Sequence, residues 1–138
     1  MDAELYEQIL KMLIRDEGIR QYPYIDTVGK ITIGIGYNLT DRGIPQEWID
    51  NQIKEDINYF YTYLTTKYSF FKNLSSPRKA ALVDMAFMGV KKIEEFKRMW
   101  TALEKEDYKT ASQEVINSLY AKQVGTRALR IADDILNG

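Results

Sequence analysis

The chain has 138 residues and a formal net charge of −1, and it contains neither cysteine nor histidine. The lack of both residues excludes disulfides and Ser-His-Asp or Cys-His catalysis, and it argues against a zinc site. Acid–base chemistry must therefore fall to Glu, Asp, Lys or Tyr side chains. The nearly neutral charge gives no indication of nucleic-acid binding, and the 45% apolar content is that of a globular domain with a real core.

The first predicted element is an amphipathic helix over residues 3–16. Asp2 is a plausible N-cap, and Gly18 marks the end of the helix. The apolar residues that recur at helical spacing, and that we expect to pack on a core, are Leu5, Ile9, Met12 and Leu13. The helix would deliver Glu17 at its C-terminal end. There the negative end of the helix dipole disfavours an ionised carboxylate, which suits a general acid.

A strand is predicted next, because Lys30 to Gly36 reads K-I-T-I-G-I-G and alternates with a period of two. One face carries Ile31, Ile33 and Ile35, which are expected to face a core. The other face carries Thr32, Gly34 and Gly36, whose small side chains leave room for a close approach to the backbone.

The segment from Tyr22 to Asp26 also alternates, and Gly29 suits a tight hairpin loop. A hairpin centred on Gly29 would place Asp26 directly opposite Thr32, so that a carboxylate and a hydroxyl could hold one water between them. Tyr24 would either stack on a sugar ring or be a half-buried strand residue.

Helices are predicted for most of the remaining chain, after a turn-rich connector that ends at Pro45. A long helix over residues 45–67 has an apolar stripe of Ile49, Ile53, Ile57, Phe60 and Leu64. Residues 77–88 are apolar over most of the helix circumference, which predicts a central buried helix with Leu82, Met85 and Phe87 in the core. Further helices are expected over 92–103, where Trp100 is a core residue, then after an Asp107 cap, and from about Gly125.

The segment contains the catalytic groups that glycoside hydrolysis uses: an acid, a base and a hydroxyl beside the base, at Glu17, Asp26 and Thr32. The alternative is a helix C-terminus followed by an ordinary solvated hairpin. The run R-D-E-G, followed by Y-I-D-T-V-G-K-I-T-I-G-I-G, resembles the phage-type lysozymes, the T-even and lambdoid endolysins. Their signature is a Glu, eight residues, an Asp, five residues and a Thr, and both spacings are met here.

A second segment, Ser118 to Arg130, also resembles the family, with Tyr120, Gln123, Arg127 and Arg130 at matching positions. The resemblance implies that Arg127 pairs with Glu17 and orients it, and that Gln123 helps to line the cleft. Without the resemblance, this segment would be interpreted as a solvated basic helix face.

Two departures from the family pattern concern Tyr37 and Met88. Tyr37 stands where the family usually has a His that pairs with an Asp, which corresponds to Asp56 here, so that ion pair cannot form. Met88 stands where a Gln that contacts saccharide is often found.

The resemblance implies an α+β, mostly α, lysozyme-like fold with one domain over 1–138. A small β-hairpin lobe (about 15–55) and a larger helical lobe (about 56–138 with the N-terminal helix 3–14) would be joined by a long helix, with the cleft between them. It also implies hydrolysis of the β-1,4 bond between N-acetylmuramic acid and N-acetylglucosamine in peptidoglycan. Glu17 would protonate the leaving oxygen. Asp26 with Thr32 would activate a water and give inversion, or Asp26 would attack directly and give retention.

We expect a monomer that needs no cofactor or metal. The expected partner is the peptidoglycan strand, without nucleic-acid binding or stable membrane insertion. A holin is implied only by analogy with the family. The N-terminal residues suggest no signal peptide, and no apolar run is long enough to span a membrane. These features predict synthesis in a cytoplasm, and the resemblance implies an endolysin made in a host cell that reaches the wall after release. The alternatives are a non-catalytic wall-binding module, a lytic transglycosylase, which needs no water-activating Asp, and an unrelated helical interaction protein.

Overall fold

The computed structural model describes residues 1–138 and contains nine α-helices, one 3-10 turn and one antiparallel sheet of three strands. The predicted mostly helical α+β class is therefore confirmed. The chain divides into two compact units, Met1–Asn51 and Gln52–Gly138. The predicted assignment of the N-terminal helix to the helical lobe stays a prediction.

The first unit contains α1 (Ala3–Glu17), β1 (Arg20–Ile25), β2 (Ile31–Gly34), β3 (Tyr37–Asn38) and α2 (Leu39–Arg42). Helix α3 (Gln46–Lys67) begins in the first unit and continues into the second. The second unit adds the 3-10 turn (Phe71–Asn73), α4 (Ser76–Ala86), α5 (Val90–Glu94), α6 (Lys97–Glu104), α7 (Tyr108–Ile116), α8 (Leu119–Val124) and α9 (Thr126–Asn137). No helix is both long and apolar enough to span a membrane.

Helix α1 has the predicted ends but not the predicted packing. The Asp2 carboxylate accepts a hydrogen bond of 2.8 Å from the Leu5 N–H, and Gly18 follows the last residue with a φ of 75°. No residue of α1 is buried, and its apolar stripe is 41–52% exposed. The expected core-packing face is therefore not found within the first unit, where no apolar residue is buried.

The hairpin between β1 and β2 has a different register from the predicted one. Tyr24 pairs with Thr32, and the N–H of Asp26 donates to the carbonyl of Lys30 at 2.8 Å. Asp26 therefore lies opposite Lys30, and its predicted position opposite Thr32 is wrong. The loop has three residues centred on Val28, with Gly29 at a φ of 84°, which is a common geometry for three-residue hairpin loops.

The isoleucine face of the predicted strand is not buried as expected, and of its three residues only Ile33 is half-buried. Ile31 is 44% exposed and Ile35 is exposed, whereas Thr32 is only 5% exposed. Thr32 lies on the central strand between Tyr24 and Asn38. The isoleucine face remains accessible because a sheet of three short strands in this unit has no second apolar layer to cover it.

Tyr37, which stands where the family usually has a His paired with an Asp, makes contacts of a different kind. Its hydroxyl donates to the carbonyl of Gly43, its ring centroid lies 5.2 Å from that of Trp48, and the Arg42 guanidinium lies 4.2 Å from its ring. Tyr37 therefore joins β3 to the connector and to the start of α3 through one hydrogen bond, an aromatic pair and a cation–π contact.

The hydrophobic core lies in the second unit, and α4 contributes four buried residues to it, although one side of the helix is exposed. Leu82 and Met85 are fully buried, but Phe87 is 39% exposed. The prediction for Phe87 is wrong because α4 ends at Ala86. Trp100 is a core residue as predicted, since its indole N–H donates to the carbonyl of Ile93 at 2.9 Å and its ring stacks on Tyr68 at 3.6 Å.

Two further helix predictions need correction. The predicted helix over 92–103 is interrupted at Phe96, whose ψ of 54° is not helical, so that α5 and α6 are separate. In α3 only Leu64 of the predicted stripe is buried, while Ile53 and Ile57 remain exposed.

Candidate active site

Glu17 is the last residue of α1, as the sequence predicts. The following N–H, from Gly18, closes the helix by donating to the carbonyl of Ile14 at 2.8 Å. The Glu17 side chain is exposed and lies directly against the α-carbon of Gly36 in the loop between β2 and β3. This carboxyl therefore combines a fixed backbone position with access from solvent.

Asp26 is held by the backbone of its own loop. One carboxylate oxygen, Oδ1, accepts hydrogen bonds from the N–H groups of Val28 at 3.0 Å and Lys30 at 2.8 Å. This arrangement is the Asx-type bonding that short polar side chains make in turns. It fixes the orientation of the carboxylate and leaves Oδ2 for another partner.

That partner is the Thr32 hydroxyl, which lies 3.5 Å from Oδ2 of Asp26 and 3.4 Å from the carbonyl of Lys30. Asp26 and Thr32 are diagonal neighbours across the hairpin, and their side chains still meet. The structure therefore brings the two residues together, although not through the predicted register. A carboxylate oxygen and a hydroxyl at this separation can share one water and orient it.

Lys30, the charged residue nearest to Asp26 along the chain, forms an ion pair with Asp41. The Lys30 ammonium donates to Oδ1 of Asp41 at 2.9 Å. The hydrogen bond from Lys30, followed by one from Asn38, lowers the pKa of Asp41 below its usual value. Sequence reasoning missed this pair, because it joins the hairpin to α2 eleven residues later.

Tyr24 and Gly34, the two other predicted residues of this unit, border the same hairpin. Tyr24 is half-buried opposite Thr32, and the Arg20 guanidinium lies 4.6 Å from its ring. Gly34 has a φ of 66°, and a Cβ added there would meet no atom within 4 Å. The requirement for glycine at this position therefore comes from the left-handed backbone and not from crowding.

Arg127 lies in the first turn of α9 and pairs with Asp84 of α4. Its Nε donates to the Asp84 carboxylate at 2.7 Å, and its Nη2 donates to the carbonyl of Asp84 at 3.1 Å and to the same carboxylate. These hydrogen bonds raise the pKa of Arg127 further above its already high value. Sequence reasoning missed Asp84, although a single carboxylate inside an apolar helix was a signal. The pairing of Arg127 with Glu17 stays a prediction.

Gln123 lies on α8 and lines a cavity of about 740 Å³ in the second unit. Met88 and Tyr120 line the same cavity, and the buried Tyr120 hydroxyl has no hydrogen-bond partner within the protein. Met88, where the family often has a Gln, therefore contributes an apolar surface to this cavity. No group of three or more carboxylates comes together in a way that could hold a metal ion.

A sequence profile of the family described as "Phage lysozyme" matches residues 15–130. The match covers most of the chain, including the helix end, the hairpin and the segment from Ser118 to Arg130. Together with the mostly helical α+β fold, it assigns the molecule to the lysozyme-type hydrolases. The chain belongs to the phage lysozyme family, so the resemblance predicted from the sequence motifs is confirmed.

Two relatives from Dictyostelium discoideum are similar to the chain over most of their length. One is named "Probable T4-type lysozyme 1" and is 29% identical over 97% of this chain and 96% of the relative. The other is named "Probable T4-type lysozyme 2" and is 29% identical over 87% of this chain and 88% of the relative.

Proposed function

We propose that this chain is a muramidase, a peptidoglycan hydrolase that cleaves the β-1,4 bond between N-acetylmuramic acid and N-acetylglucosamine. The observation that carries the proposal is the pairing of the Asp26 carboxylate with the Thr32 hydroxyl at 3.5 Å, on a hairpin that directly follows a helix ending at Glu17. Membership of the phage lysozyme family supports the substrate class.

Glu17 acts as the general acid in this proposal. It donates its proton to the glycosidic oxygen as the bond to the anomeric carbon of N-acetylmuramic acid breaks, so that N-acetylglucosamine leaves as a neutral alcohol.

Asp26 acts as the general base. Its Oδ1 is occupied by two backbone N–H groups, so Oδ2 and the Thr32 hydroxyl orient the attacking water. The water oxygen bonds to the anomeric carbon while Asp26 takes one water proton, and this route inverts the configuration. The alternative within the same site is direct attack by Asp26, which gives a covalent intermediate and retention. A lytic transglycosylase has no need for a water-activating carboxylate, so the fixed Asp26 favours hydrolysis.

The supporting residues in this proposal are Arg127, Gln123, Tyr24 and Gly34. Arg127 supports Glu17, Gln123 and Tyr24 contact the saccharide, and Gly34 shapes the turn between β2 and β3. The proposed biological role is that of a phage or prophage endolysin, a monomer made in the host cytoplasm that degrades the wall during lysis once a holin has opened the way.

Purified cell walls from several bacteria test the proposed activity. We expect the wild-type protein to reduce the turbidity of wall suspensions. New reducing ends should appear during the same period, because each hydrolysed bond creates one. If the protein binds walls from every species but neither clears them nor releases reducing ends, the chain is a wall-binding module and not an enzyme.

A further inference from the structure

Among the glycines of the hairpin region, Gly29, Gly34 and Gly36, only Gly36 lies so close to another side chain that it has no room for a Cβ of its own. A Cβ added at Gly36 would lie 3.0 Å from Cγ, Cδ and Oε2 of Glu17, and these are its three nearest neighbours. Such a separation is tighter than nine in ten Cβ contacts in proteins. The carboxyl of Glu17 therefore occupies the space that any other residue at position 36 would fill.

We propose that Gly36 is a positioning residue for Glu17. The α-carbon of Gly36 carries no side chain and provides the surface against which the catalytic carboxyl of Glu17 lies. This inference rests on the proposed role of Glu17 as the general acid. It differs from the sequence-based expectation, which selected Gly34 and not Gly36 as the supporting glycine.

The surrounding backbone holds Gly36 in place. Ile33 pairs with Tyr37 across the loop, and Gly36 itself has a φ of 64°, in the left-handed region. Tyr37, the next residue, is held by its contacts with Gly43, Trp48 and Arg42. Because Gly36 is bounded by a strand pair and an anchored tyrosine, the loop cannot easily move away from Glu17.

The Glu17 side chain has no comparable restraint of its own, since it is exposed and forms no hydrogen bond within the protein. A methyl group at position 36 would therefore displace the carboxyl and leave the fold intact. Relief of the 3.0 Å contacts requires the carboxyl to shift by a few tenths of an ångström. Since a misplacement of about 1 Å in a catalytic group can cost about 100-fold in rate, a loss of roughly 10-fold is expected. The contact with Gly36 thus limits the positions that the acid can adopt before substrate binds.

The test compares Gly36→Ala with Gly43→Ala. Gly43 also has a left-handed backbone, with a φ of 59°, but a Cβ there would meet no atom within 4 Å. Both variants therefore place a Cβ on a residue with a positive φ, and only the first introduces a clash with Glu17. We expect Gly36→Ala to lower kcat for wall hydrolysis by roughly 10-fold with KM little changed, and Gly43→Ala to keep a nearly wild-type kcat, with thermal unfolding recorded for both variants.

Two further measurements separate positioning from a general structural effect. The ¹³C resonance of the Glu17 carboxyl should move in Gly36→Ala and not in Gly43→Ala. On a Glu17→Asp background, where the carboxyl is one methylene shorter and withdraws from position 36, Gly36→Ala should cost less than it does in the wild type.

Equal kcat values for Gly36→Ala and Gly43→Ala, with an unmoved carboxyl resonance, would overturn the inference. If the wild type itself does not hydrolyse walls, the proposed function fails instead. The carboxyl resonance would then still report whether Gly36 positions Glu17.

Discussion

Glu17→Gln is expected to lower the initial rate of wall clearance by about 10² to 10⁴-fold, the usual contribution of a general acid. Glutamine has nearly the same size and shape, so it preserves the end of α1 and the contact with Gly36, but it has no acidic proton for the leaving oxygen. The measurement is the loss of turbidity of purified walls, with thermal unfolding recorded for the same preparations.

Glu7→Gln is the matched control, because Glu7 is an exposed glutamate on the same helix and forms no side-chain hydrogen bond. It should clear walls at the wild-type rate. Equal clearance by Glu17→Gln and Glu7→Gln would move the general acid to another residue and undo the assignment of the site.

Asp26→Asn is expected to have the second large effect, again about 10² to 10⁴-fold in rate. Asparagine keeps an oxygen that can accept the hydrogen bonds from the N–H groups of Val28 and Lys30, so the loop should retain its shape. Its side chain cannot take a proton from water or attack the anomeric carbon. The predicted result is therefore a loss of kcat without a loss of folding, measured by wall clearance and by thermal unfolding.

Asp50→Asn makes the same chemical change at an exposed position of the first unit, where the side chain only accepts a hydrogen bond from Gln46. This control should be as active as the wild type. Asp26→Ala should be less stable than Asp26→Asn, because it leaves the two backbone N–H groups without their acceptor. If Asp26→Asn retains full activity, the base and the positioned water must lie elsewhere.

The sequence was sufficient to predict the features that depend on local signals. The position of Glu17 follows from the Asp2 cap, the helical spacing and Gly18, all of which act within a few residues. The contribution of α4 to the core was predicted from its many apolar residues, and Leu82 and Met85 are indeed buried.

The features that sequence reasoning missed depend on contacts between segments. The hairpin register is set by a three-residue loop centred on Val28, and the alternation of residues is compatible with either register. The isoleucines of β2 were expected to be buried, but strand alternation does not reveal whether a second apolar layer exists. The Arg127–Asp84 pair joins residues 43 positions apart, and the contact between Gly36 and Glu17 requires a loop to meet a helix end.

The chemistry of the new chain ends tests the central claim most directly. Peptidoglycan digested by the wild type is reduced with borohydride, and the fragments are identified by mass spectrometry. Cleavage of the proposed bond by water predicts reduced N-acetylmuramic acid at every new end. Reduced N-acetylglucosamine would show that the other glycosidic bond is cleaved. That result would contradict the proposed substrate bond. Non-reducible 1,6-anhydro ends would show that no water is added, which would contradict the proposed roles of Asp26 and Thr32.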